Sequence, residues 1–130
     1  KIKILVTGCA GFIGFHVCHF LTKKGFNVIG IDNINTYYDI KLKKDRLKIL
    51  NKNKKFLFYK VDISNNLKLK KIFAKENFEY VLHFAAQAGV RFSIHNPKVY
   101  FQSNMEGFFN MLNLSLEKNL FMLQQKNLMK

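Results

Sequence analysis

Arginine, cysteine, proline and acidic residues are all scarce in this 130-residue chain, and it has no long apolar run. Without about 18 consecutive apolar residues, no membrane-spanning helix is expected. The apolar start at residues 2–6 is too short for a signal-peptide core and leads straight into a glycine loop, so the expected location is cytoplasmic. The two cysteines, Cys9 and Cys18, are expected to be free and reduced. His16, His19 and His95 lack ligand spacing with cysteines or acids, so no metal site is expected. Eight acidic against 22 basic side chains leave a formal charge of +14, which raises the question of a nucleic-acid partner. Yet Arg46 and Arg91 are the only arginines, and phosphate and base readout favours the planar arginine fork. No nucleic-acid partner is therefore expected, and the dense basic stretch at 41–55 reads as the solvated face of a helix.

What is present is a regular alternation of strand and helix patterns. Strands are expected at 2–6, 27–31, 56–61 and 80–84, each rich in β-branched or aromatic residues. Between them, apolar residues recur at helical spacing. Phe12, Ile13, His16, Val17, Phe20 and Leu21 form one such face, which Gly25 terminates. Further helices are expected near 40–50, from a Ser64 or Asn65 cap to about Glu76, and from Pro97 to about Lys118. Leu120 begins the apolar start of a fifth strand. This order predicts an α/β fold: a Rossmann-type doubly wound parallel sheet, incomplete at four to five strands, within one domain spanning 1–130.

The loop after the first strand carries Gly8, Gly11 and Gly14 as G-x-x-G-x-x-G. Lying between a strand and a helix, it has the context that dinucleotide binding requires. Gly8 suits a tight turn, Gly11 lets a pyrophosphate approach the backbone, and Gly14 permits close helix packing. Phe12 and Ile13 open the helix, whose free N–H groups and partial positive charge favour phosphate. Asp32 lies 18 residues beyond Gly14, at the end of the second strand. A carboxylate there binds the adenosine ribose hydroxyls and repels a 2′-phosphate, so NAD is expected over NADP. Asp32 can also serve as a turn cap. Asp62-Ile63 follows the third strand, where Asp62 reads equally as an adenine contact or a turn residue.

Together, Thr7 to Gly14, Asp32-Asn33, Asp62 and His83-Phe84-Ala85-Ala86 resemble the extended short-chain dehydrogenases of the NAD-dependent epimerase/dehydratase family. The segment 30–39, Gly-Ile-Asp-Asn-Ile-Asn-Thr-Tyr-Tyr-Asp, is similar to the one sugar-nucleotide epimerases carry after the second strand. The stretch 85–93, with Asn96-Pro97, then Ser103-Asn104 and Gly107, resembles the UDP-glucuronate 4-epimerase branch. The likeness extends from residue 1 to about 120. It implies NAD as cofactor, bound by Gly8, Gly11, Phe12, Ile13, Gly14, Asp32, Asn33, Asp62, Ile63, Phe84, Ala85, Ala86 and Asn104. It also implies a UDP-sugar substrate, with Gln87, Arg91 and Ser93 on its side of the crevice. Arg91 reads equally as a surface arginine capping a carbonyl. His83 reads as a packed, hydrogen-bonded histidine rather than a base. The implied reaction is conversion of UDP-glucuronate to UDP-galacturonate through a 4-keto intermediate, by an enzyme whose full-length form is a homodimer.

The family's catalytic Tyr-x-x-x-Lys follows the fifth strand, and no residue of this chain stands in that place. The one such spacing, Tyr37 and Lys41, falls near the adenosine end of the cofactor and reads as coincidence. After Leu120 the chain reads Phe-Met-Leu-Gln-Gln, where the family continues toward Tyr-Ala-Ser. The expectation is an N-terminal cofactor-binding part without catalytic residues or a substrate domain, inactive alone and with an exposed sheet edge. Alternatives are a non-catalytic NAD-binding module and a related UDP-sugar epimerase or dehydratase, such as a UDP-glucose 4-epimerase.

Overall fold

The computed structural model of the chain describes residues 2–34, 40–85, 97–98 and 105–124. Five strands form one parallel sheet: β1 (Lys3–Thr7), β2 (Asn27–Asp32), β3 (Phe56–Lys60), β4 (Tyr80–His83) and β5 (Phe121–Gln124). Their spatial order is β3-β2-β1-β4-β5. The chain thus builds outward from β1 to β3, then crosses back to place β4 on the other side of β1. The crevice at that reversal, between β1 and β4, is where open α/β sheets bind ligands.

Four helices are found among the described residues: α1 (Phe12–Lys23), α2 (Ile40–Asn51), α3 (Asn66–Lys75) and α4 (Gly107–Glu117). Alternation along the strands sends successive side chains to opposite faces. Leu5, Ile29, Ile31 and Val81 pack with Leu69, Ile72, Met111 and Leu114 of α3 and α4. Ile4, Val6, Val28 and Phe56 pack with Cys18, Leu47 and Leu50 of α1 and α2. Both faces are covered, as the doubly wound expectation required, and each fully buried aliphatic side chain such as Leu5 contributes roughly 1.5–3 kcal/mol.

The local signals act as expected at most boundaries. Gly25 ends α1 at φ +95°. Of the two candidate caps for α3 it is Asn65 that serves, its side chain accepting from the Lys68 N–H at 3.2 Å. Residue 106 is already helical ahead of α4, while 99–104 of the helix expected from Pro97 lie outside the described residues. The fifth strand does form from residue 121, against β4.

Candidate cofactor site

The C-terminal ends of β1, β2 and β4 converge on the glycine loop. Gly8 sits at φ +71°, and a β-carbon there would lie 2.8 Å from the Ala85 nitrogen. The N–H groups of Gly8 and Cys9 both donate to the Ile31 carbonyl, at 2.7 and 3.2 Å, and that of Gly11 donates to the Gly8 carbonyl at 3.1 Å. At Gly14 a β-carbon would run into the carbonyl oxygen of Gly8. Gly14 therefore lets α1 pack on the loop's own turn, a closer constraint than the helix–sheet approach expected from sequence. Gly30 of β2 has a similar role that the sequence reading missed. A side chain there would meet the Cys9 sulfur and the Phe56 ring at 2.7 Å.

These bonds consume the donors of Gly8, Cys9 and Gly11, and Ala10 gives its N–H to Asp32. The first turn of α1 has no helical partners for the N–H groups of Phe12, Ile13 and Gly14. No acidic side chain lies in that turn, and Gly11 offers no side-chain cap. The helix end thus keeps its donors and partial positive charge for an anion. The Phe12 side chain is largely exposed beside it.

Asp32 is buried, with each carboxylate oxygen engaged. Oδ2 accepts from the Ala10 N–H at 3.1 Å. Oδ1 accepts from the Ile34 N–H at 2.8 Å and from Lys43 Nζ at 3.2 Å. Asp32 thus serves as a turn cap, its Oδ1 closing the turn at Ile34. Lys43 corrects one expectation, because the basic stretch at 41–55 is not uniformly solvated: Lys41, Lys44 and Lys48 face water, while Lys43 is buried against Asp32. One turn on, Arg46 donates to the Ala10 carbonyl at 2.9 Å. The Ala10 peptide is held on both sides, by Asp32 and by Arg46. A signal for this was present in sequence: Lys43 and Arg46 are three apart on one helix face, just after the acid.

A second network joins β1 to β4. Thr7 Oγ1 accepts from the N–H groups of Phe84 and Ala85, both at 3.1 Å, and lies 2.7 Å from His83 Nδ1. A hydroxyl has one proton and two acceptor sites. The Phe84 N–H is shared with the Thr7 carbonyl at 3.2 Å; with two N–H groups directed at its hydroxyl oxygen, Thr7 gives its own proton to Nδ1, which makes His83 neutral with its proton on Nε2. Burial pushes the His83 pKa down to about 4, in agreement. The packed histidine expected from sequence is confirmed. Burial likewise raises both thiols, so Cys9 and Cys18 are free and protonated.

Asp62 takes the turn role, its Oδ1 accepting from the N–H and hydroxyl of Ser64 at 2.9 and 2.8 Å. The Ile63 side chain is buried beneath Gly107, where any β-carbon would strike it. The Ile63 carbonyl accepts from Asn110 of α4 at 2.9 Å. Ala86, Gln87, Arg91, Ser93 and Asn104, like Tyr37, lie outside the described residues. Among the described residues no group of three His, Cys, Asp or Glu could hold a metal, and no helix is long and apolar enough to cross a membrane.

A parallel sheet in this order, a glycine turn that a β-carbon would block and an open helix end facing a strand-end acid define a Rossmann-type dinucleotide-binding domain. Residues 5–126 match the family model described as GDP-mannose 4,6 dehydratase, and the chain belongs to that family. It is 51% identical over 110 residues to a UDP-glucuronate 4-epimerase of Thermodesulfobacterium geofontis, covering 85% of this chain and 34% of that protein. The UDP-glucuronic acid 4-epimerase of Bacillus cereus, solved with UDP-4-deoxy-4-fluoro-glucuronic acid and NAD, superimposes with a TM-score of 0.83. That match has 33% identity and covers 95% of this chain and 39% of that one. A Thermotoga maritima UDP-glucose 4-epimerase, solved with UDP-glucose, superimposes with a TM-score of 0.78 at 35% identity, over 92% of this chain and 36% of that one. The chain spans about a third of the length of the curated relatives it matches.

Proposed function

We propose that this chain binds NAD and is the cofactor-binding part of a UDP-sugar 4-epimerase, with UDP-glucuronate as substrate and UDP-galacturonate as product. One observation carries the cofactor reading: Gly14 crosses the Gly8 carbonyl, so the open end of α1 faces the crevice beside the Asp32 carboxylate. A β-carbon at Gly8 would strike the Phe84–Ala85 backbone and one at Gly14 the Gly8 carbonyl, so this turn is built for glycine, and the residues present fit a dinucleotide. In this reading the N–H groups of Phe12, Ile13 and Gly14 hold the pyrophosphate and Asp32 meets the adenosine ribose. Asn33, Asp62, Ile63, Phe84, Ala85, Ala86 and Asn104 complete the cofactor side. Gln87, Arg91 and Ser93 face the sugar nucleotide. When bound, NAD supplies the hydride-accepting chemistry at the sugar's C4.

The glucuronate assignment is supported by the 51% identity with the UDP-glucuronate 4-epimerase of Thermodesulfobacterium geofontis and by the TM-score of 0.83 with that of Bacillus cereus, against 0.78 with the UDP-glucose 4-epimerase. Within the 130 residues, Tyr37–Lys41 is the one Tyr-x-x-x-Lys spacing, and it follows the adenosine end of the site. No tyrosine base is therefore assigned, and the chain by itself is inactive. A positioned base contributes typically 10²–10⁴-fold, and its loss is compounded by the loss of substrate positioning. The test is to titrate the chain with NADH by fluorescence, then incubate it with NAD and UDP-glucuronate. Saturable NADH binding without UDP-galacturonate supports the reading. Absence of binding overturns the cofactor assignment. Turnover overturns the inactivity, and its loss on Tyr37→Phe would make Tyr37 the base.

A further inference from the structure

α1 and α2 pack side by side on one face of the sheet. Each joins the end of one parallel strand to the start of the next, so the two run in the same direction and share one outer surface. The outward stripe of α1 is Phe12, Ile13, His16 and Phe20, all exposed, and it ends in Lys23 and Lys24. On α2, Leu42, Arg46 and Ile49 recur at helical spacing, and Arg46 reaches the Ala10 carbonyl near the head of α1. Leu42 and Ile49, both exposed, therefore lie on the side of α2 turned toward α1. Lys44 and Lys48 stand exposed further round the same outer face.

The charge of this surface is one-sided. α1 has no acidic residue, and α2 has one, Asp45, which pairs with Lys41 at 3.7 Å. The opposite layer also exposes apolar side chains, Phe109 and Leu116 of α4, but Glu106 and Glu117 accompany them. Only on α1 and α2 do exposed apolar groups and lysines coincide without a balancing acid. At Phe20 the two stand together, with Lys24 Nζ 5.5 Å from the ring centroid. Apolar side chains framed by ammonium groups complement an anionic bilayer: the former enter the boundary of the acyl chains, and the latter meet the headgroup phosphates. The one arginine of these helices, Arg46, is engaged with Ala10. Lysines act on phosphate as point charges, which suits a fluid headgroup layer better than the ordered backbone of a nucleic acid.

We propose that the outer face of α1 and α2 docks on an anionic lipid surface, making the chain a peripheral membrane protein. The crevice between β1 and β4 opens at the strand ends rather than through this face, so docking leaves it accessible. The inference does not depend on the dinucleotide reading.

The experiment is flotation of the whole chain with vesicles, in which aggregates sink and bound protein rises. One set of vesicles is phosphatidylcholine alone, the other equimolar phosphatidylcholine and phosphatidylglycerol. Binding to the anionic set is expected to exceed that to the neutral set by at least about tenfold, and to fall as salt rises from about 0.1 M to about 0.5 M. Lys44→Glu with Lys48→Glu, and separately Phe20→Ser with Ile49→Ser, are each expected to lower binding at least about fivefold. Lys70→Glu with Lys71→Glu makes the same charge change on the exposed side of α3 and is expected to leave binding within about twofold. Circular dichroism checks folding, and the exposed lysine pair carries the test if the apolar pair does not fold. The inference is overturned if the chain does not float with anionic vesicles or floats equally with neutral ones. It is overturned also if the α3 variant weakens binding as much as the α2 variant, which would make the attraction one of net charge alone. Preference for a single-stranded oligonucleotide added in competition overturns the lipid assignment in favour of nucleic acid.

Discussion

The hydroxyl of Thr7 donates to Nδ1 of His83 across 2.7 Å, at the point where β1 and β4 run side by side into the crevice. The same oxygen receives the Phe84 and Ala85 N–H groups, so one buried side chain joins the glycine turn to the loop after β4.

Thr7→Val keeps the shape and removes every one of these bonds. The Ala85 N–H and an imidazole nitrogen are left without their partner, while the Phe84 N–H keeps the Thr7 carbonyl at 3.2 Å, and each buried orphan costs roughly 1–3 kcal/mol. Thr7→Val is expected to lose at least about 2 kcal/mol in urea denaturation, while Thr7→Ser stays within about 1 kcal/mol of the unmodified chain. Equal stability of the two variants would refute this account of the network.

The neutral state of His83 makes stability depend on pH. Its pKa is about 4 in the folded chain against 6.5 for an unperturbed histidine. Between these values the unfolded chain binds a proton that the folded chain does not. The contribution is therefore fully present above pH 6.5 and declines as pH falls toward 4, by about 3 kcal/mol in total. His83→Asn offers an amide oxygen to Thr7 without titrating, so its stability should be flatter across this window. Denaturation curves at closely spaced pH values check this, and an unchanged slope would count against it.

Gly14 and Gly25 separate two reasons for glycine. A β-carbon at Gly14 strikes the backbone of Gly8, which cannot rotate away, whereas at Gly25 nothing lies within 4 Å and the obstacle is φ alone. Gly14→Ala should cost more than about 3 kcal/mol and remove NADH binding. Gly25→Asn, tolerant of left-handed backbone, should cost about 1 kcal/mol or less and leave binding intact. Thermal melts and NADH titrations of both variants decide the matter.

The outer edge of β5 has no strand neighbour among the described residues, and Phe121 and Leu123 are more than half exposed there. Such an edge templates pairing with other chains. Light scattering should show apparent mass rising with concentration, and Leu123→Lys should reduce the rise. Association unaffected by that lysine would place the contact elsewhere.

The order of elements and the cofactor loop were legible before any coordinates because they rest on local rules. Period-two and period-3.6 patterns mark strands and helices, and Gly25 and Asn65 mark helix ends. The spacing from Gly14 to Asp32 is set by the length of one helix and one strand. These signals travel along the chain, so the amino-acid order alone determined the doubly wound parallel sheet and the position of the dinucleotide loop.

Side chains brought together from distant parts of the chain were not legible in this way. Lys43 sits in a run of lysines, marked only by sharing a helix face with Arg46. It turns inward because α2 packs across the end of β2, where Asp32 supplies a buried counter-charge. Gly30 looked like any strand residue until Cys9 and Phe56 closed over it. The tautomer of His83 follows from Thr7, which lies 76 residues away. That Asp62 closes a turn on Ser64 follows from the same packing. Burial and hydrogen-bond pairing depend on which elements meet, and only the tertiary structure decides that.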